Sequence, residues 1–190
     1  INEINVINKE FEFKAFIDNN KTSSSVSLGN KIYDVIDEDY FIEKNKHNPD
    51  ISIVVGIGNP DINFKVSSYY SKNTNFNFPN LIHPKAYVNM DNVKLGNGNI
   101  FMSNSYVSVN ADIGNFNIIN LNCTIGHDVN IKNNNIINPG VNVSGTVKIG
   151  DRNLLGTNSA IIQNLRIGNN NLISAGSLIF KDIGNNSQLM

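Results

Sequence analysis

The chain of 190 residues has no tryptophan and one cysteine, Cys123. A single thiol excludes an internal disulfide framework and a cysteine-built zinc cage. Charged residues reach only 16%, with 15 Lys and Arg against 16 Asp and Glu, and no basic cluster stands out. Nucleic-acid binding, which leaves a basic footprint, is disfavoured. No apolar run approaches the ~18 residues of a membrane span, and the start shows no signal-peptide pattern. The chain therefore reads as soluble and cytoplasmic, and its opening on Ile1 rather than Met suggests a fragment or a processed chain. What it has in excess is asparagine, about a fifth of all residues, against an expectation of a few per cent. Asparagine is a poor helix former that tolerates left-handed backbone, so a helical bundle is disfavoured. Hydrophobic residues still make up 40%, enough for a core.

From Leu95 onward every sixth residue is large and apolar: Leu95, Phe101, Val107, Ile113, Ile119, Ile125, Ile131, Ile137, Val143, Ile149, Leu155, Ile161, Ile167, Ile173 and Ile179. The next residue is often Gly or Ser, and two positions earlier lie small, β-branched or Asn residues such as Ser105, Ala111, Cys123 and Val141. A period of six fits neither a helix nor a hairpin array. It fits a parallel β-helix, in which three short strands make one coil and the aliphatics stack along its axis. Asn and Gly then fall at the corners, where stacked polar side chains form ladders.

Residues 1–82 lack this register. Phe11 to Ile17 alternates and ends in Asp18-Asn19-Asn20, a strand entering a turn. Ile51 to Gly58 reads as a buried parallel strand. Asn59-Pro60-Asp61 opens a helix running to about Lys72. Phe78 to Ile82 returns as a strand, and His83-Pro84 marks the entry to the β-helix domain, 83–190. Strand alternating with helix argues a small parallel α/β unit, whose ligand edge would hold Asp18, Asn19 and Gly58. The usual first strand with its Gly-rich turn is not present, and residues 1–10 look like the end of the helix that would follow it.

A truncated Rossmann-like nucleotide-binding unit followed by hexapeptide repeats resembles the hexapeptide-repeat sugar O- and N-acyltransferases, a family that includes sialic acid O-acetyltransferases and UDP-4-amino-sugar acetyltransferases. The landmarks are Phe16-Ile17-Asp18-Asn19, Gly56-Ile57-Gly58-Asn59, Leu81-Ile82-His83-Pro84, Asn120 to Asp128, and Asn138-Pro139-Gly140 with Ser144-Gly145. The resemblance implies a left-handed β-helix, a homotrimer with acyl-CoA in grooves between subunits, and acetyl-CoA as co-substrate without a metal. It covers nearly the whole chain, and both ends are expected to fall short of the family's.

Acetyl transfer from a thioester needs a base, an oxyanion donor and a placed nucleophile. Imidazole takes a proton near neutral pH, and an adjacent carboxylate fixes its tautomer. The resemblance puts these roles on His127 and Asp128, with Asn120 orienting the acceptor. It places acyl-CoA contacts at Ile136, Gly145, Thr157 and Ala175, with the Gly145 N–H facing the thioester oxygen. Relatives commonly carry His at the Ile136 position; this chain does not. Asp18, Asn19 and Gly58 would hold the UDP-like portion of a nucleotide-sugar acceptor. Cys123 reads as a small core residue, His47 as exposed, and His83 as a domain-junction residue. Three scattered histidines cannot build the three-imidazole zinc site of the γ-type carbonic anhydrases, which use the same coil. A nucleotide-sugar-binding scaffold without turnover stays open, as does acetylation of sialic acid or a small amino acid such as serine.

Overall fold

The computed structural model describes residues 11–20 and 22–189. The helix end expected over residues 1–10 lies outside them. Two compact units divide the chain after Ser52, within a helix after Ser68, and after Asn77.

The first unit holds a three-stranded sheet, β1 (Ala15–Asp18), β2 (Ser25–Leu28) and β3 (Lys31–Asp37), ordered β1-β3-β2. β1 pairs with β3 in parallel, and β2 pairs with it antiparallel through a two-residue loop. Gly29 opens that loop at φ +58°, a conformation such hairpins require. Helix α1 (Glu38–Asn45) starts directly after β3, and Asp37 caps it by accepting from the Tyr40 N–H at 3.0 Å. Tyr70 is buried and donates to Glu38 Oε1 at 2.6 Å; burial first, and then that carboxylate, push its phenol well above the ordinary range.

The sheet expected to be parallel is mixed, with β1 parallel to β3. β2 is antiparallel, and Ile51 to Gly58 builds no ladder. In the first unit Ser52 makes one isolated bridge to Asn77. In the second, the Asn63 Nδ2 donates to the carbonyls of Val55 and Ile57 at 3.5 and 3.2 Å. A short apolar run specifies burial, as at Val55, but not the partner for its backbone.

The second unit opens with residues 53–68. Asn59 Oδ1 accepts from the N–H groups of Asp61 and Ile62 at 3.1 Å, starting helix α2 (Pro60–Asn73) as its capping sequence requires. The rest of the unit is a parallel coil with three faces. The first face stacks β4 (Leu81–Ile82), β7 (Ile100–Phe101), β10 (Ile118–Ile119), β13 (Ile136–Ile137), β16 (Leu154–Leu155), β19 (Leu172–Ile173) and β21 (Gln188–Leu189). The second stacks β5 (Tyr87–Val88), β8 (Tyr106–Val107), β11 (Thr124–Ile125), β14 (Asn142–Val143), β17 (Ala160–Ile161) and β20 (Leu178–Ile179). The third stacks β6 (Lys94–Leu95), β9 (Asp112–Ile113), β12 (Asn130–Ile131), β15 (Lys148–Ile149) and β18 (Arg166–Ile167). Leu81–Ile82 thus belongs to the coil, not to an N-terminal sheet. Strand order and register fit a left-handed β-helix.

All fifteen periodic residues point inwards; fourteen are buried, and Leu95 packs half-buried against them. Successive coils are offset by 18 residues, as in Ile119↔Ile137. Three residues before each aliphatic from Phe101 to Ile179, the backbone turns through positive φ, from Gly98 and Asn104 through to Asn170 and Gly176. Asn tolerates that conformation better than other residues with a Cβ.

At the corner between the third and first faces, asparagines flank the turns from Gly98 to Asn170 on both sides, with Asp151 once in their place. Inside, Asn99, Asn117, Asn135, Asn153 and Asn171 form a buried ladder, each donating its N–H to the Oδ1 of the residue one coil earlier or its equivalent Asn80. Outside, Asn97, Asn115, Asn133, Asp151 and Asn169 donate their N–H groups in the opposite direction, to the next coil. Residues 53–68 are fastened at this corner. Asn134 Nδ2 donates to Asn63 Oδ1 at 2.7 Å and to Ser67 Oγ at 2.9 Å, all three residues buried. The Arg152 guanidinium lies 4.8 Å from the centroid of the Phe64 ring. Among the outward residues of the adjoining first face, Ile118 and Ile136 are buried, whereas those at the same level on the other faces are exposed or half-exposed.

Candidate active site

His127 sits at the corner between the second and third faces, in the turn Gly126-His127-Asp128. Coils on both sides pin that turn: Asp128 donates its N–H to the Val109 carbonyl at 3.0 Å, and Thr146 donates to the His127 carbonyl at 2.8 Å. A Cβ on Gly126 would lie 2.6 Å from the Gly145 nitrogen, so the turn cannot stack there with a larger residue. Asp128 takes φ +57°, which turns the chain and brings its carboxylate back to the preceding ring.

The imidazole points outwards, with its side chain 59% exposed. Nδ1 lies 2.8 Å from Asp128 Oδ2, and the other carboxylate oxygen accepts from Asn110 Nδ2 at 3.1 Å. These contacts, His127 first and Asn110 second, hold the Asp128 carboxyl below the usual carboxylate range. An ionised carboxylate accepts only, so Nδ1 carries the proton and Nε2 keeps its lone pair in the neutral ring. Nε2 has no hydrogen-bond partner among the described residues, and it lies against Gly145 one coil on. A Cβ at Gly145 would come within 2.5 Å of Nε2. The Gly145 N–H is likewise without a partner among the described residues. A ring nitrogen with an open lone pair and a backbone N–H without a partner among the described residues therefore belong to adjacent coils of one corner.

Asn120 occupies the preceding corner of the same coil, with the second face between. Its N–H and Nδ2 both donate to the Ile137 carbonyl, at 2.9 and 3.2 Å, and no hydrogen bond joins it to His127. Thr157 and Ala175 lie exposed at that corner two and three coils on, in one column with Leu121 and Pro139. Gly156 permits this stacking, since a Cβ there would lie 2.4 Å from the Ala175 nitrogen. Ile136 is different. Its side chain points out of the first face but is only 1% exposed.

In the first unit Asp18 and Asn19 are exposed at the carboxyl end of β1, with Asp18 Oδ1 accepting from the Asn20 N–H at 3.0 Å. Gly58 is exposed, with open space where a Cβ would stand. Cys123 is buried, its Sγ 3.1 Å from the Asn138 carbonyl, and burial pushes its thiol up. His47 is exposed, and His83 Nδ1 accepts from the Lys85 N–H at 3.0 Å. No group of three or more His, Cys, Asp or Glu side chains suited to a metal lies among the described residues. Among the same residues no helix is long and apolar enough to cross a membrane.

Sequence reasoning missed Asn110. Its signal was the 18-residue offset from Asp128, which becomes visible once three hexapeptides are taken as one coil. It also missed the step on the second face where Thr124 Oγ1 donates to Asn142 Oδ1 at 2.6 Å.

No family model and no curated protein matches the chain. Solved structures do. The acetyltransferase domain of PglB from Neisseria gonorrhoeae FA1090, in complex with acetyl coenzyme A, aligns with a TM-score of 0.84 at 25% identity, over 96% of this chain and 85% of that one. PerB from Caulobacter crescentus, in complex with CoA and GDP-perosamine, aligns with a TM-score of 0.75 at 24% identity, over 82% and 74%. The chain has the fold of the hexapeptide-repeat sugar acetyltransferases. WeeI from Acinetobacter baumannii AYE shares that hexapeptide-repeat fold, with a TM-score of 0.73 at 24% identity over 92% of this chain and 81% of that one.

Proposed function

We propose that this hexapeptide-repeat protein is an acetyl-CoA-dependent acyltransferase that acetylates an amino or hydroxyl group of a nucleotide-linked sugar. The observation that carries the reading is the His127–Asp128 pair on an exposed corner, 2.8 Å apart, against Gly145, whose backbone N–H has no partner among the described residues. The neighbours described as acetyltransferases, with acetyl coenzyme A or with CoA and GDP-perosamine bound, support it.

In this reading Nε2 of His127 removes the proton of the attacking amine or hydroxyl as the new bond to the thioester carbon forms. Asp128 holds the ring in the tautomer that leaves Nε2 open and stabilises the imidazolium that results. The Gly145 N–H donates to the thioester oxygen as it gains charge. The imidazolium then returns its proton to the sulfur as the carbon–sulfur bond breaks. Asn120 orients the acceptor from the neighbouring corner, and the main chain at Thr157 and Ala175 lines the pantetheine arm. Ile136 is left out of the cofactor set because it is buried. Asp18 and Asn19 are assigned to the acceptor's nucleotide, UDP in our reading, with Gly58 as a further contact.

The protein is further read as a homotrimer. Tyr87 and Tyr106 stack in the open on the second face, with centroids 4.9 Å apart, and Met102, Val109, Leu121 and Ile162 are exposed at its corners. An apolar strip of this kind fits contact with a second copy. His127 stands at its edge.

His127→Ala should abolish acetyl-CoA consumption with UDP-amino sugars while leaving the melting temperature nearly unchanged, because the ring is exposed and closes no core contact. Undiminished turnover in this variant would remove the general-base assignment.

A further inference from the structure

The third face carries a charge pattern that the fold does not need. Its outward column runs Lys94, Asp112, Asn130, Lys148 and Arg166 along adjacent strands in register. Lys94 stands beside Asp112, an opposite-charge pair. Lys148 stands beside Arg166; both are exposed, and neither forms an ion pair among the described residues. Adjacent strands lie about 4.8 Å apart, so the two cations repel without a shared counter-ion. Asp182 meets Arg166 through the backbone, its Oδ1 accepting the Arg166 N–H at 2.8 Å. Lys148 follows Gly145 by three residues, on the strand that leaves the corner carrying His127. The two cations therefore flank that corner on the side opposite the apolar second face.

We propose that Lys148 and Arg166 form a phosphate subsite that holds a substrate whose reactive end lies at His127. The inference rests on the transferase reading for that second clause alone. A guanidinium fork beside a lysine point charge suits a phosphoryl group with several free oxygens. Two substrates bring that chemistry: the acyl carrier, with its diphosphate and 3′-phosphate, and the nucleoside diphosphate of the acceptor.

Calorimetric binding of CoA, of 3′-dephospho-CoA and of UDP separates them. The double variant Lys148→Gln/Arg166→Gln should bind one of these ligands about tenfold more weakly or worse, and the gap should narrow as salt rises. Lys94→Gln, with its partner Asp112 in register, should change nothing. Loss on CoA alone assigns the subsite to the 3′-phosphate, equal loss on both carriers assigns it to the carrier diphosphate, and loss on UDP assigns it to the acceptor. Unchanged affinity for all three in a folded double variant overturns the proposal, as does a wild-type chain that binds none of them. Because binding is read without turnover, a chain that binds through Lys148 and Arg166 but transfers no acetyl group sinks the transferase reading and leaves the subsite standing.

Discussion

A side chain at position 145 would collide with the ring beneath it, a Cβ falling 2.5 Å from Nε2 and 2.7 Å from Cε1 of His127. In Gly145→Ala the exposed imidazole has room to swing away, so the cost should fall on chemistry rather than on folding. Displacing a catalytic ring by about 1 Å costs on the order of a hundredfold in rate. We expect a loss of that size in kcat with only a small drop in melting temperature; a large drop in stability at full kcat would mean that the ring has no part in turnover. Asp128 offers a second measurement. Its carboxyl is held below the ordinary carboxylate value, about 3.9, by His127 and then by Asn110. A carboxyl whose folded pKa is depressed adds stability in full above its unfolded value, and that contribution drains away as pH falls through the folded value. Asp128 is solvent-exposed, so the effect is read best from the group itself. The carboxyl-carbon NMR titration should have its midpoint below about 3.9, and in Asn110→Ala it should move up. A wild-type midpoint at or above the ordinary value would contradict the contacts described.

At the scale of the corner element, the two asparagine ladders are chemically alike but differ in burial. Asn135 is fully buried, donates its N–H and Nδ2 to Asn117 Oδ1, and accepts both from Asn153. Asn135→Ala strips the Asn153 donors of their acceptor in a place water does not reach, which should cost about 2–3 kcal/mol in urea unfolding. Asn185→Ala, at the exposed end of the outer ladder, should cost under about 1 kcal/mol, because water replaces the lost partner. Equal costs would mean that burial does not set the ladder's worth. The sequence had marked corner asparagines as suited to stacked ladders, although the left-handed backbone itself falls on the residue between the two ladders, as at Asn134 and Asn170. It had not shown which asparagine bonds to which, because each partner lies a whole coil away.

For the whole molecule the same distinction decides what could be read in advance. The coil repeats one local pattern, so the inward aliphatics from Leu95 to Ile179, the turn at Asn59, and the exposed His127 beside Asp128 were all legible. Residues 51–58 were not, because an apolar run does not name its partner, and this one met the Asn63 side chain instead of a strand. The burial of Ile136 was hidden for the same reason: in the repeat its position is outward, and only the tertiary environment of the first face covers it. The coil's own register gives a test of how far repetition governs the fold. Removing residues 154–171 joins Asn153 to Leu172 and takes out one full coil, so every remaining face and both ladders keep their alignment. Such a chain should stay folded, less stable by the loss of one coil's interfaces, as stacked repeats behave. Removing only residues 154–159 keeps every aliphatic pointing inwards, because Ile161 takes the place of Leu155. It nevertheless moves each later strand to the wrong face and sets Asn153 against no Asn171. If hydrophobic period alone specified the coil, the two deletions would melt alike. We expect the six-residue deletion to lose its cooperative transition while the eighteen-residue deletion keeps it, as followed by circular dichroism on heating.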